Sequence, residues 1–158
     1  MAVSTTQSIW RSGGGDQTRA AYCGSGVMAA TFYIPDASKT SSTNVQASAT
    51  NTSAVLLPAN AVVVQIIVND ATTAGTIDLG YTPVGGSNSP ESLLNNAGGS
   101  VGTFTLGSSG AGTGIGTALS TTVNSYITFR DNSTTATGTV GGVILYFVVD
   151  PYAGQQNV

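Results

Sequence analysis

Few side chains in this sequence could carry out acid–base or nucleophilic chemistry. The chain has no histidine, which removes the usual general base, the commonest metal ligand and any Ser-His-Asp arrangement. A Ser–Lys pair would have to use Lys39, the only lysine, with its neighbour Ser38 in a polar loop. Paired carboxylates for sugar hydrolysis would have to come from seven acidic residues, which are Asp16, Asp36, Asp70, Asp78, Glu91, Asp131 and Asp150.

The placement of these carboxylates favours a structural role. Asp36, Asp70, Asp131 and Asp150 stand where turns are expected, and Asp78 alternates away from the predicted core face. A calcium site that uses Asp70 or Asp131 stays open, although no EF-hand spacing is present. We therefore predict that the chain is not an enzyme and has no catalytic, cofactor-binding or metal-binding residues.

The glycine-rich run from Gly110 to Gly116 also lacks the features of a phosphate-binding loop. It has neither the GxGxxG spacing nor a GK[ST] ending, and no amphipathic helix follows it. We predict a mobile loop. The one cysteine, Cys23, cannot form an internal disulfide and is expected to be a partly buried small apolar residue.

The composition indicates one folded domain with an uncharged surface. Of the 158 residues, 41% are hydrophobic and only 7% are charged, against about 25% in ordinary soluble proteins. The net charge of −3 and the scattering of Arg11, Arg19, Lys39 and Arg130 argue against nucleic-acid binding. No stretch is apolar enough to span a membrane, and the first residues do not resemble a secretory signal, so synthesis in the cytoplasm is expected.

The stretch of residues 57–81 organises the rest of the chain. It begins with a strand whose alternating apolar side chains are expected to share one buried face, Val62, Val64, Ile66 and Val68. After turn residues 69–75 comes a second strand with its own apolar face, Ile77, Leu79 and Tyr81. These two strands form either a β-hairpin or a β-arch.

Further short strands are predicted over residues 30–34, 101–106, 123–130 and 139–149. The polar segment 37–53 is either a loop or an edge strand, and a short helical turn is predicted at Pro90–Leu94 with Ser89 as its N-cap.

The last predicted strand, residues 139–149, is apolar on both alternating faces. It is therefore either a central strand covered on both sides or a strand whose second face contacts another subunit. We assign Ile144, Tyr146 and Val148 to that second face.

The first 30 residues have neither a helical nor a strand period and are predicted to be an irregular N-terminal arm. Trp10 within it either anchors the arm on a neighbouring protein or closes one end of the domain's own core. Residues 31–158 then form the folded domain. Roughly six to eight short strands with almost no helix predict an all-β fold, an antiparallel β-sandwich of jelly-roll-like type.

Three motifs resemble a pattern found in small structural proteins of tailed bacteriophages. They are Leu57-Pro58-Ala59-Asn60-Ala61 before a hydrophobic strand, Gly75-Thr76-Ile77-Asp78-Leu79-Gly80 in the next strand, and Thr137-Gly138-Thr139-Val140 before the last strand. The resemblance covers roughly the C-terminal two thirds of the chain and rests on strand and turn residues. Asn60 stands where the pattern has glycine.

Within that group the chain is most similar to capsid decoration, or cement, proteins. The resemblance implies a homotrimer on the outer capsid surface of the virion, made in the host cytoplasm, that binds the major capsid protein and stabilises contacts between its subunits. It implies no contact with nucleic acid or membrane.

Two alternatives stay open. A receptor- or glycan-binding module of a tail or fibre would use the long loops 82–99 and 107–116, and a small single-jelly-roll coat protein has a similar length.

Overall fold

The computed structural model describes residues 26–71, 75–98 and 101–149, and these residues form nine β-strands and no helix. The strands are β1 (Met28–Ile34), β2 (Thr43–Asn44), β3 (Leu56–Leu57), β4 (Ala61–Ala71), β5 (Thr76–Pro83), β6 (Ser89–Gly98), β7 (Gly102–Thr105), β8 (Ser125–Asp131) and β9 (Val140–Val148).

The strands build two antiparallel sheets that pack face to face. Sheet A has the order β1-β9-β4-β7, and sheet B has the order β2-β8-β5-β6 with β3 also paired to β8. One hydrophobic core lies between them, and its largest fully buried side chains come from both sheets, among them Ile34, Ile66, Leu79, Ile127 and Ile144. The predicted all-β antiparallel sandwich is confirmed, whereas jelly-roll connectivity stays a prediction.

The organising stretch is a β-arch, because β4 lies in sheet A and β5 lies in sheet B. Its first strand departs from the predicted alternation. Val63 pairs with Tyr146 and Gln65 pairs with Leu145, so Val64 is an extra residue in a β-bulge. Val63, Ile66 and Val68 are therefore in the core, which confirms the prediction for Ile66 and Val68. Val64 is only half-buried, and Val62 is buried but lies outside the core cluster, so the predicted alternation is wrong before the bulge.

A change of neighbour along β4 accompanies this bulge. Before it, residues 116–119 follow the edge of β4, where the Gly116 and Leu119 amides donate to the carbonyls of Val63 and Ala61. After it, β7 pairs with residues 65–68 of β4. Single-strand periodicity carries no information about such a change of partner.

The predicted helical turn at Pro90–Leu94 is also wrong, because these residues belong to β6. Ser89 followed by proline does satisfy the local pattern of a helix start. However, Leu93 and Leu94 are both fully buried, and β6 pairs along β5. Burial of two leucines and strand pairing outweigh a local preference of about 1 kcal/mol.

The last strand is central in sheet A, which the sequence left as one of two alternatives, and its two faces are the reverse of those assigned from the sequence. Strand β9 lies between β1 and β4, with Ile144 in the core and Tyr146 packed against the core. Val143, Leu145 and Phe147 are half-buried, do not belong to the core and lie on the outer face of sheet A.

Irregular segments close both sides of the sandwich. The polar segment 37–53 is mostly irregular but contains the short strand β2, which pairs with β8 at the edge of sheet B. Strand β3, just after this segment, also pairs with β8. On the other side, residues 110–114 lie along β6, where the Gly112 amide donates to the Leu93 carbonyl at 2.9 Å and the Gly114 amide donates to the Ser92 carbonyl at 2.7 Å. The run Gly110–Gly116 is thus anchored by hydrogen bonds to β6 and β4, and its predicted mobility stays a prediction.

The predicted arm, residues 1–30, falls mainly outside the described residues, as do Trp10 and Cys23. The first strand begins at Met28, two residues before its predicted start. It pairs with β9 along its whole length, from Met28 opposite Tyr146 to Ile34 opposite Val140.

Gly142 in β9 offers a direct test of this packing. A Cβ atom there would lie 2.7 Å from the Phe32 ring and even closer to the Ile67 carbonyl oxygen. We expect Gly142→Ala to lower the free energy of unfolding by at least about 2 kcal/mol, because overpacking forces neighbours to shift. Gly26→Ala is the matched control, since no atom lies within 4 Å of its Cβ position. Equal stability of the two variants in urea denaturation would contradict this packing.

Candidate functional site

The outer face of sheet A carries a cluster of apolar side chains that the core does not use. Register places Val143 of β9 opposite Ile67 of β4 on one side and opposite Thr31 of β1 on the other. Two residues further along β9, Leu145 lies opposite Ala29 of β1 on one side and opposite Gln65 of β4 on the other. We call this surface the sheet A face and define it by four half-buried residues, Ile67, Val143, Leu145 and Phe147.

Uncharged residues surround these four. Thr103 and Thr105 of β7 lie opposite Ile67 and Gln65, and both threonines are exposed. Tyr33 lies on the same face of β1 and is half-buried. None of the side chains described on this face is charged, so the face could meet another uncharged surface without desolvating an ion.

The outer face of sheet B is polar by contrast, and a buried ion pair lies on it. Asp78 of β5 is fully buried, and the Nε atom of Arg130 in β8 donates to its Oδ2 atom at 2.8 Å. The two residues are direct neighbours in the β5–β8 register. The Asp78 Oδ1 atom accepts hydrogen bonds from the Asn96 amide at 2.7 Å and from Asn132 Nδ2 at 2.9 Å. The buried carboxylate is therefore fully satisfied.

Arg130 joins this ion pair to the surface. Its Nη2 atom donates to Glu91, whose side chain is half exposed on β6. Hydrogen bonding to Asp78 raises the pKa of the Arg130 guanidinium above its usual value, and the charges of Asp78 and Glu91 add to this effect while partial burial opposes it. The guanidinium stays protonated at any pH at which the protein folds.

This cluster brings two of the seven carboxylates together but does not form a hydrolase site. Asp78 and Glu91 lie on either side of Arg130, and no solvent reaches Asp78. A carboxylate that no substrate can touch holds strands together instead of transferring protons. The sequence signal was present, since Asp78 and Arg130 are outward-facing charges within strands of a chain with very few charges.

Two other predicted acidic positions shape turns. The Asp36 carboxylate accepts hydrogen bonds from the Ser38 amide and hydroxyl, which lower the pKa of Asp36, and it pairs with Lys39 at 3.3 Å. Asp131 accepts from the Ser133 amide at 2.8 Å and from the Ala136 amide at 3.1 Å. Ser38 and Lys39 are thus turn residues bound to Asp36.

Asp70 departs from its predicted turn, because its backbone belongs to β4 opposite Gly141. Asp16 and Asp150 lie outside the described residues.

Within the described ranges, no three His, Cys, Asp or Glu residues are grouped to hold a metal ion, and no helix is long and apolar enough to cross a membrane. The buried Ser125 hydroxyl has no hydrogen-bond partner within the described part of the chain.

A groove of about 510 Å³ lies beside this cluster. One wall is the start of β6 and the other is the anchored segment 111–113, so the groove joins parts of both long loops singled out in the sequence. Its lining is mostly polar and comprises Asn88, Ser89, Pro90, Glu91, Ser92, Asn95, Ala111, Gly112 and Thr113.

Removing the Arg130 guanidinium tests the structural role of the ion pair. We expect Arg130→Met to lower the free energy of unfolding by about 3 kcal/mol, because it leaves the buried Asp78 charge without its partner. Lys39→Met is the matched control at the exposed Asp36 pair and should unfold like the wild type. Urea denaturation measures both, and equal losses would contradict a buried, paired Asp78.

Comparison of the chain with protein-family models, with curated proteins and with solved structures finds no match.

Proposed function

We propose that this chain is a virion structural protein, a capsid decoration protein that binds the outer surface of a capsid and stabilises contacts between major capsid protein subunits. The observation that carries the proposal is the sheet A face. An apolar, uncharged surface at the centre of a four-stranded sheet serves an assembly better than a monomer. We further propose that the chain acts as a homotrimer and that the sheet A face contacts neighbouring copies.

The positions of the resembling motifs fit this proposal. Each motif lies at the entry of a core strand, namely β4, β5 or β9. Asn60, which replaces the expected glycine, has a φ of 61°, and asparagine is among the residues that tolerate this left-handed conformation. Gly75 and Gly138 also have positive φ values, of 100° and 87°. The motif residues therefore specify the backbone path into three core strands.

The charge content supports a role on a surface exposed to varying salt. Only 7% of the residues are charged, and the threonines around the sheet A face offer neutral hydrogen-bonding groups. Contacts built from apolar and hydroxyl groups lose little strength when salt screens charges. Ion pairs at a subunit contact would weaken under the same conditions.

One observation favours a second candidate, a receptor- or glycan-binding module of a tail or fibre. The two long loops meet in the groove between β6 and residues 111–113. Loops held on a rigid sandwich are common sites of recognition. The two candidates differ in their partner, which is a coat protein lattice in one case and a host surface molecule in the other.

Binding to coat protein shells tests the decoration proposal. We expect the purified chain to co-sediment with shells assembled from the major capsid protein encoded in the same genome. Binding should persist in molar salt, because only 7% of the residues are charged and few ion pairs with the capsid can form. Binding should also raise the temperature at which the shells come apart. Shells without the chain are the control. A chain that stays in the supernatant at every salt concentration would contradict the decoration role.

A further inference from the structure

We propose that the groove between the start of β6 and residues 111–113 binds an uncharged saccharide. This inference deepens the second candidate function, which assigns recognition to the same groove, and it does not depend on a role on capsids. It rests on the walls of the groove, on the groups that line it and on its charge.

The walls of the groove are fixed before any ligand arrives. Three backbone hydrogen bonds join them, from Gly112 to Leu93, from Gly114 to Ser92 and from Asn95 to Gly110. A Cβ atom on Gly112 would overlap the Ser92 carbonyl, and one on Gly114 would lie 2.7 Å from the same oxygen. The two glycines therefore let the segment lie flat on β6. A preformed site spares a ligand the cost of ordering the loops.

The polar groups in the groove suit hydroxyl ligands. Glu91 is 46% exposed, and its Oε1 atom is held by Arg130, which fixes the direction of the carboxylate. Its Oε2 atom is 3.5 Å from Asn95 Nδ2, a weak contact that leaves Oε2 able to accept further hydrogen bonds. A carboxylate beside an amide presents acceptors and donors together, and adjacent sugar hydroxyls both donate and accept. Exposed Thr113 adds a hydroxyl from the opposite wall.

The charge of the groove selects against ionic ligands. Among the described residues that line it, Glu91 alone is charged, and Arg130 already pairs with that carboxylate. None of these lining residues is a lysine or arginine that could bind phosphate, and a cationic ligand would compete with Arg130. The groove has a volume of about 510 Å³ and is largely open to solvent. Because the groove is open and none of its described lining residues is aromatic, we expect millimolar affinity.

A titration followed by NMR tests this proposal. The isotope-labelled full chain is titrated with galactose, glucose and N-acetylglucosamine, and the chemical shifts of its backbone amides are recorded. At least one sugar should cause saturable shifts at Asn95 and Thr113, and glycerol, the control polyol, should not. Asn95→Ala and Thr113→Val should each lower the affinity for that sugar by about tenfold, the loss expected for one good hydrogen bond.

The side chains of both residues are exposed, so neither variant should unfold the protein. Thr103→Ala removes an exposed hydroxyl from the opposite sheet and should bind sugar like the wild type. Three results would overturn the saccharide site: no saturable shift with any of the three sugars, equal shifts with glycerol, or unchanged affinity in both groove variants.

Discussion

The structure depends on one constraint, which is that strand β9 is apolar on both faces and pairs on both edges. Its pairing with β1 and β4 fixes sheet A. Alternation along the strand then sends Ile144 and Tyr146 toward sheet B and leaves Val143 and Leu145 on the outside. A one-residue slip would exchange the two sets. Gly142 helps to fix this register, because only a residue without a side chain fits between the Phe32 ring and the Ile67 carbonyl.

The two outer faces of the sandwich are therefore chemically different. The sheet A face is apolar and bordered by threonines, whereas sheet B carries Asp78, Arg130 and Glu91 and the adjoining polar groove. The difference has a simple physical origin. An apolar outer face gains free energy when another protein covers it, and a polar face with a satisfied ion pair gains nothing comparable. One side of the molecule is thus suited to subunit contacts and the other to solvent and small hydrophilic ligands.

Alternation and turn residues were enough to predict the all-β sandwich and two strands within residues 57–81. They left both a hairpin and an arch possible, and they left β9 as either a covered central strand or a strand at a subunit contact. Prediction failed where a partner strand decided the outcome. The bulge at Val64 accompanies a change of neighbour along β4, and the strand at Pro90–Leu94 overrides a local helix start because it pairs with β5. The inner and outer faces of β9 could not be told apart, since both are apolar. The Asp78–Arg130 pair required knowledge of the β5–β8 register.

The mass of the full chain in solution, measured by light scattering on a sizing column, tests most directly the claim that the sheet A face is a contact between copies. We expect about 47 kDa, three times the 15.7 kDa of one chain, for the wild type and for Tyr126→Lys on the outer face of sheet B. Leu145→Lys should give 15.7 kDa, because a charge at the centre of the apolar face opposes its burial. A wild-type mass of 15.7 kDa, or a trimer that survives Leu145→Lys, would show that the sheet A face is not a contact between copies.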